Sequence, residues 1–67
     1  MKTTAGELQV GDEIRDQYLP LRVTQIMVKS ESLIYMKCEI IPKDGYSPGQ
    51  YKTLRKGINT KVNILNR

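Results

Sequence analysis

The sequence contains no histidine, no tryptophan and no phenylalanine, and its only cysteine is Cys38. Because protein zinc sites are built mainly from cysteine and histidine, this composition excludes the usual zinc ligand sets. A single thiol also excludes an internal disulfide, on which small secreted domains commonly rely. We therefore expect a protein of a reducing compartment, the cytoplasm.

Long apolar segments are absent as well. The chain has no run of about 18 apolar residues, and residues 1–10 lack the basic and then apolar pattern of a secretory leader, which predicts a soluble, unprocessed protein. Paired carboxylates placed for acid/base catalysis, a histidine beside a nucleophile and a glycine-rich phosphate loop are missing too. We expect no enzymatic activity, no cofactor, no bound metal and no membrane partner.

The net charge of +4 is distributed unevenly along the chain. Residues 1–16 carry a balance of −2, residues 17–42 one of +1 and residues 43–67 one of +5. A strongly basic segment favours an anionic partner such as nucleic acid. The alternative is a solvated surface that keeps a small protein soluble.

From Asp12 onward, apolar residues fall mostly at every second position, which is the period of β-strands. This alternation predicts five strands, over 13–16, 21–28, 33–41, 51–55 and around Val62 and Ile64. In the second of these, the apolar positions change step near Thr24 and Gln25, which predicts a β-bulge that bends the strand.

Two short helical turns are predicted outside the strands. Residues 4–8 have the form of a capped turn, in which the Thr4 hydroxyl accepts the amide of Glu7, and residues 57–60 read as a second turn. Residues 42–50 contain two turn signals and form a long loop. Together these elements predict one domain over residues 1–67, an all-β SH3-like barrel, with an OB-like barrel as the alternative.

The order of these elements resembles the amino-terminal domain of bacterial elongation factor P. Its opening looks like residues 8–14, LQVGDEI, followed by residues 21–26, LRVTQI. Its closing strand and turn are similar to residues 54–62, LRKGINTKV, and small uncharacterised phage and bacterial proteins share the same outline. The resemblance implies a KOW-like, SH3-like barrel and favours nucleoprotein partners.

One segment departs from that family. The family carries a glycine-flanked loop between its second and third strands, with a lysine that is modified and reaches the catalytic centre of the ribosome. Here the corresponding residues 29–32 read KSES, which is shorter and contains no glycine. The role of the modified lysine is therefore not carried over to Lys29.

The main candidate site is the outward side of the predicted sheet. Tyr35 and Lys37 alternate outward with Glu39, and Tyr51 and Arg55 share a face of the next strand. Rings that stack on bases and cations that neutralise phosphates are what single-stranded nucleic acid requires. The predicted binding residues are Arg22, Tyr35, Lys37, Tyr51, Lys52, Arg55, Lys56 and Lys61.

Two other functions remain open from the sequence. A small interaction factor, of phage or cellular origin, would dock on a partner protein through the tyrosines and the loop 43–50, with Lys43 and Tyr46 as its loop contacts. A homo-oligomeric structural protein would instead pair its exposed strand edges between subunits. We expect a monomer or a weak homo-oligomer.

Overall fold

The computed structural model describes residues 1–42 and 49–66, so the predicted loop contacts Lys43 and Tyr46 lie outside the described residues. The described chain forms six β-strands: β1 (Lys2–Thr4), β2 (Glu13–Asp16), β3 (Leu19–Lys29), β4 (Leu33–Ile40), β5 (Tyr51–Gly57) and β6 (Lys61–Asn66). A 3₁₀ turn, Ala5–Glu7, follows β1. The predicted all-β class is confirmed.

All six strands belong to one antiparallel sheet with the order β1-β6-β2-β3-β4-β5. The prediction of five strands is wrong by one, because β1 was missed. That strand pairs with β6 so that Thr3 faces Val62, but it is only 3 residues long. Three residues are too few to show the alternation from which strands are recognised.

The long strand β3 contains the predicted bulge. Its register against β4 shifts between Val23 and Gln25, as the sequence predicted, and shifts again between Ile26 and Val28. Each irregularity bends a strand and increases its twist, so two in succession curve the sheet. β3 begins earlier than predicted, at Leu19, because the preceding loop is confined to Gln17 and Tyr18.

The core lies on the inner side of this curved sheet. Its largest fully buried side chains are Leu8, Ile14, Leu21, Val23, Ile34, Met36 and Cys38. The alternation predicted for β4 is confirmed, since every second residue from Ile34 to Cys38 is buried and the residues between them are exposed. The radius of gyration, 11.2 Å, is close to the value of about 11 Å expected for a compact chain of this length.

The two predicted helical turns pack against each other. The amides of Ala5 and Gly6 donate to the carbonyls of Thr60 and Ile58, at 2.8 and 2.9 Å. The 3₁₀ turn is therefore fixed to the connection between β5 and β6. Its predicted cap is wrong, because the Thr4 hydroxyl donates to the Glu7 carboxylate at 2.9 Å and no side chain caps the backbone.

The second predicted helical turn is a simple turn. It is closed by a hydrogen bond of 3.0 Å from the Thr60 amide to the Gly57 carbonyl. Gly57 itself still belongs to β5. The turn therefore serves as a short connection that reverses the chain into β6.

Candidate nucleic-acid interface

Two neighbouring strands bring together most of the predicted aromatic and basic residues. In the register of β4 and β5, Tyr35 faces Arg55, and Tyr51 faces Glu39 beside Lys37. Directly opposite residues of an antiparallel pair project from the same side of the sheet. We refer to Tyr35, Lys37, Tyr51 and Arg55 as the tyrosine face. The register places these four residues on one side of the sheet.

The tyrosine face offers both rings and charges to solvent. The side chains of Tyr35 and Tyr51 are 39% and 52% exposed. The Lys37 ammonium lies 4.7 Å from the centroid of the Tyr51 ring, which is a cation–π contact. Among the described residues, no carboxylate forms an ion pair with Lys37 or Arg55. Both positive charges are therefore available to an external anion.

Arg22 lies on the same side of the sheet, but carboxylates of the protein engage its charge. In the register it stands between Glu13 on β2 and Glu39 on β4. Its guanidinium contacts Glu13 at 2.8 Å and Glu39 at 3.2 Å. Hydrogen bonding to Glu13 is the main reason that the pKa of Arg22 is raised further above its ordinary value. Arg22 thus forms the neutralised border of the tyrosine face.

Lys52 and Lys56 lie on the opposite side of β5, which corrects the prediction that they extend the basic field. Side chains alternate along a strand, so both share the side of the buried Leu54. Their ammonium groups contact Asp16 on β2, at 3.3 Å for Lys52 and 2.9 Å for Lys56. Sequence alternation alone would have separated them from Tyr51 and Arg55.

Asp16 is the centre of this second ionic group. Its side chain is only 11% exposed and receives both lysines. The hydrogen bond from Lys56 is the largest effect on the pKa of Asp16, which lies below its ordinary value although burial opposes the shift. The carboxylate therefore stays ionised and joins β2 to β5, two strands that are not neighbours in the sheet.

Lys61 also lies away from the tyrosine face, which corrects its place in the predicted site. It begins β6, and the order of the sheet places β2 and β3 between β6 and β4. There it lines a cleft of about 270 Å³ together with Lys2, Arg15 and Asn63. Sequence reasoning missed this cleft because β1, which carries Lys2, was not recognised.

The single cysteine of the chain belongs to the core. Cys38 is fully buried, and loss of solvation is the main reason that the pKa of its thiol is raised to about 11. The thiol is therefore protonated at neutral pH. Within residues 1–42 and 49–66, no three acidic, cysteine or histidine side chains are grouped to hold a metal ion. The same residues form no helix with the length and apolarity needed to span a membrane.

Comparison of the chain with protein-family models, with curated proteins and with solved structures gave no match in any of the three. The function proposed below therefore depends on the surfaces that the described residues form. Two such surfaces have a distinct chemistry, namely the tyrosine face of β4 and β5 and the cleft beside Lys61.

Proposed function

We propose that the protein is a non-catalytic binding module with an SH3-like, KOW-like barrel, and that its tyrosine face contacts single-stranded nucleic acid. The observation that supports this most directly is the pairing of rings with cations on β4 and β5. Lys37 lies over the Tyr51 ring at 4.7 Å, and Arg55 stands opposite Tyr35. Bases would stack on the tyrosines, and phosphates would contact Lys37 and Arg55.

The strongly bent β3 supports the barrel topology in this proposal. Two register shifts within one strand are the means by which a small sheet curls on itself. The ion pairs of Asp16 with Lys52 and Lys56 then lie where β2 and β5 approach each other. Such a scaffold holds the outward side chains of β4 and β5 at fixed spacing, which suits a stacking surface.

The direct test is fluorescence anisotropy of labelled single-stranded RNA, single-stranded DNA and duplex DNA, at low and at near-physiological salt. The test variant is Lys37→Glu with Arg55→Glu. The matched control is Lys29→Glu with Arg67→Glu, which changes the net charge equally at two positions that neither the tyrosine face nor the described lining of the cleft beside Lys61 includes. We expect the test pair to weaken binding and to reduce the salt slope for single strands by about 1.4, because two phosphate contacts are lost.

Stacking is tested separately by Tyr35→Leu and Tyr51→Leu, which keep an apolar side chain and remove the ring. Each substitution should weaken single-strand binding by about 5- to 150-fold, corresponding to about 1–3 kcal/mol per stacked base. If the test and control charge pairs reduce the affinity for single strands equally, the attraction is generic and the tyrosine face is not the binding site. Binding that disappears at near-physiological salt would refute the proposal as a whole.

A second candidate function is docking on a partner protein through the same surface. The observation that favours it is an apolar neighbour, since Val28 on β3 faces Tyr35 and is 52% exposed, with Met27 beside it at 40%. Tyrosine and methionine are enriched at protein interfaces. In that case the Tyr→Leu variants lose partner capture, while the protein shows no nucleic-acid binding at near-physiological salt.

A further inference from the structure

A cleft of about 270 Å³ lies where the pairing between β2 and β6 ends, at Arg15 and Asn63. Asn63 of β6 has Lys2 of β1 opposite it on one side and Arg15 of β2 on the other. These three side chains therefore form one row across three strands and project from the same side of the sheet. Lys61 stands two residues before Asn63 and so shares this side. Lys2, Arg15 and Lys61 are therefore neighbours of Asn63 on this side of the sheet.

The charges of this cleft are not balanced by the described residues that line it. Its lining contains four cations, Lys2, Arg15, Lys56 and Lys61, and one carboxylate, Asp16. That carboxylate already accepts Lys52 and Lys56. Among the described residues, no ion pair is made by Lys2, Arg15 or Lys61. Like charges placed together without a counter-charge repel one another, so an anion in the cleft would stabilise the protein.

We propose that this cleft binds a phosphate monoester group. The proposal is independent of the tyrosine face, which lies on β4 and β5. Ile14 and Val62 also line the cleft, but their side chains are buried on the inner side of the sheet. Arg15, Lys2 and Lys61 approach from three strands, and the Asn63 amide adds a neutral N–H donor between them.

The number and direction of the donors favour a phosphate over a carboxylate. A phosphate monoester carries three terminal oxygens and a charge near −2 at neutral pH, and it can accept from donors on several sides. A carboxylate has two oxygens in one plane and cannot satisfy donors from three strands as well. The volume of about 270 Å³ is small for a ligand pocket, which suits one compact group and not a polymer backbone.

The test is a titration of the ¹⁵N-labelled full chain followed by NMR. The probes are inorganic phosphate, adenosine 5′-monophosphate and adenosine, with sodium chloride at equal ionic strength as the salt control. We expect saturable shifts of the amides of Arg15, Gln17 and Asn63 with phosphate and with the monophosphate, and weaker binding at higher salt because salt screens exposed charges. Adenosine and chloride should leave these amides unchanged.

The test variant is Asn63→Asp, which places a carboxylate among the three cations. It should weaken phosphate binding at least tenfold and raise the urea midpoint of unfolding, because the new charge replaces the missing anion. Asn59→Asp makes the same chemical change in the exposed turn before β6 and should alter neither phosphate binding nor the urea midpoint. The urea midpoint also shows that both variants fold.

Three results would overturn the proposal: equal shifts with chloride, equal shifts with adenosine, or undiminished phosphate binding by Asn63→Asp. Shifts that occur only with phosphate and the monophosphate support the proposal. If the monophosphate binds more strongly than inorganic phosphate, the ligand of the cleft is a nucleotide and not the free ion. Lys37→Glu with Arg55→Glu should keep these shifts. A failure of the tyrosine face is thereby distinguished from a failure of the cleft.

Discussion

At the scale of single residues, Gly6 is the described glycine with the least room for a side chain. A Cβ atom at this position would be 2.5 Å from Cγ1 and 2.8 Å from Cδ1 of Ile58, and 3.1 Å from the Ile58 carbonyl oxygen. The Gly6 amide donates to that same oxygen at 2.9 Å. The absence of a side chain therefore allows the 3₁₀ turn to reach the backbone between β5 and β6.

Gly6→Ala is therefore expected to destabilise the protein by about 1–3 kcal/mol, the usual cost of overpacking. Urea unfolding measures this loss. A double-mutant cycle with Ile58→Ala tests the cause, because removal of the Ile58 side chain should make Gly6→Ala much less costly. Equal costs in both backgrounds would show that contact with Ile58 is not the reason. Gly57→Ala is the matched control, since its nearest atom is Thr60 Oγ1 at 3.2 Å.

At the scale of elements, ion pairs join strands that share no backbone hydrogen bonds. Asp16 ends β2, and its carboxylate contacts Lys52 and Lys56 of β5. The two lysines stand on one side of β5 with Leu54 between them, so their stems cover apolar surface while their ammonium groups reach the carboxylate. This cluster therefore connects β2 with β5 through side chains alone.

The stability of this cluster should depend on pH. The pKa of Asp16 in the folded protein lies below its ordinary value of 3.8, mainly because of Lys56. The stabilisation is therefore fully present above about pH 4 and is lost as the pH falls through the lower folded-state value. Asp16→Asn should lower the free energy of unfolding by about 1 kcal/mol at neutral pH, a small value because the lysines are partly exposed. The variant should also lose less stability than the parent protein as the pH falls below about 4.

Urea unfolding between pH 2 and 7 measures this effect. Glu31→Gln is the control, because Glu31 is exposed in the turn between β3 and β4 and forms no ion pair among the described residues. An Asp16→Asn variant with the pH profile of the parent protein would exclude a role for the cluster in stability.

At the scale of the whole molecule, the core is small and depends on every inward residue. Cys38 occupies its centre on β4 and is flanked across the sheet by Val23 of β3 and Lys52 of β5. Its side chain is fully buried. Since this is the only thiol of the chain, its chemical reactivity reports how often Cys38 becomes exposed.

We expect Cys38 to react with a thiol reagent at pH 8 about 150- to 5,000-fold more slowly in the native protein than in urea. A core of this size supplies about 3–5 kcal/mol of stability, and reaction requires the open state. The pKa of about 11 in the folded protein keeps the buried thiol protonated, which suppresses reaction without opening. Gly6→Ala should accelerate labelling in proportion to its loss of stability. Native labelling as fast as in urea would contradict a closed core.

The sequence by itself determined the all-β class and which residues of β4 face the core. Alternation in β4 placed Ile34, Met36 and Cys38 inside and Tyr35 and Lys37 outside, because side chains of a strand alternate whatever the topology. A change of step near Thr24 and Gln25 located the bulge for the same reason. These features are local, and each can be read within a few residues.

Only the tertiary structure decided which charges remain available. Asp16 meets Lys56 across 40 positions of the chain, and Arg22 meets Glu39 across 17. Similarly, the strand pairing that places Lys2 and Arg15 on either side of Asn63 joins distant segments. Composition gives a net charge, but the partners of each charge follow from the order and register of the strands. The basic field expected from the sequence is therefore divided into the tyrosine face, a neutralised border and a separate cleft.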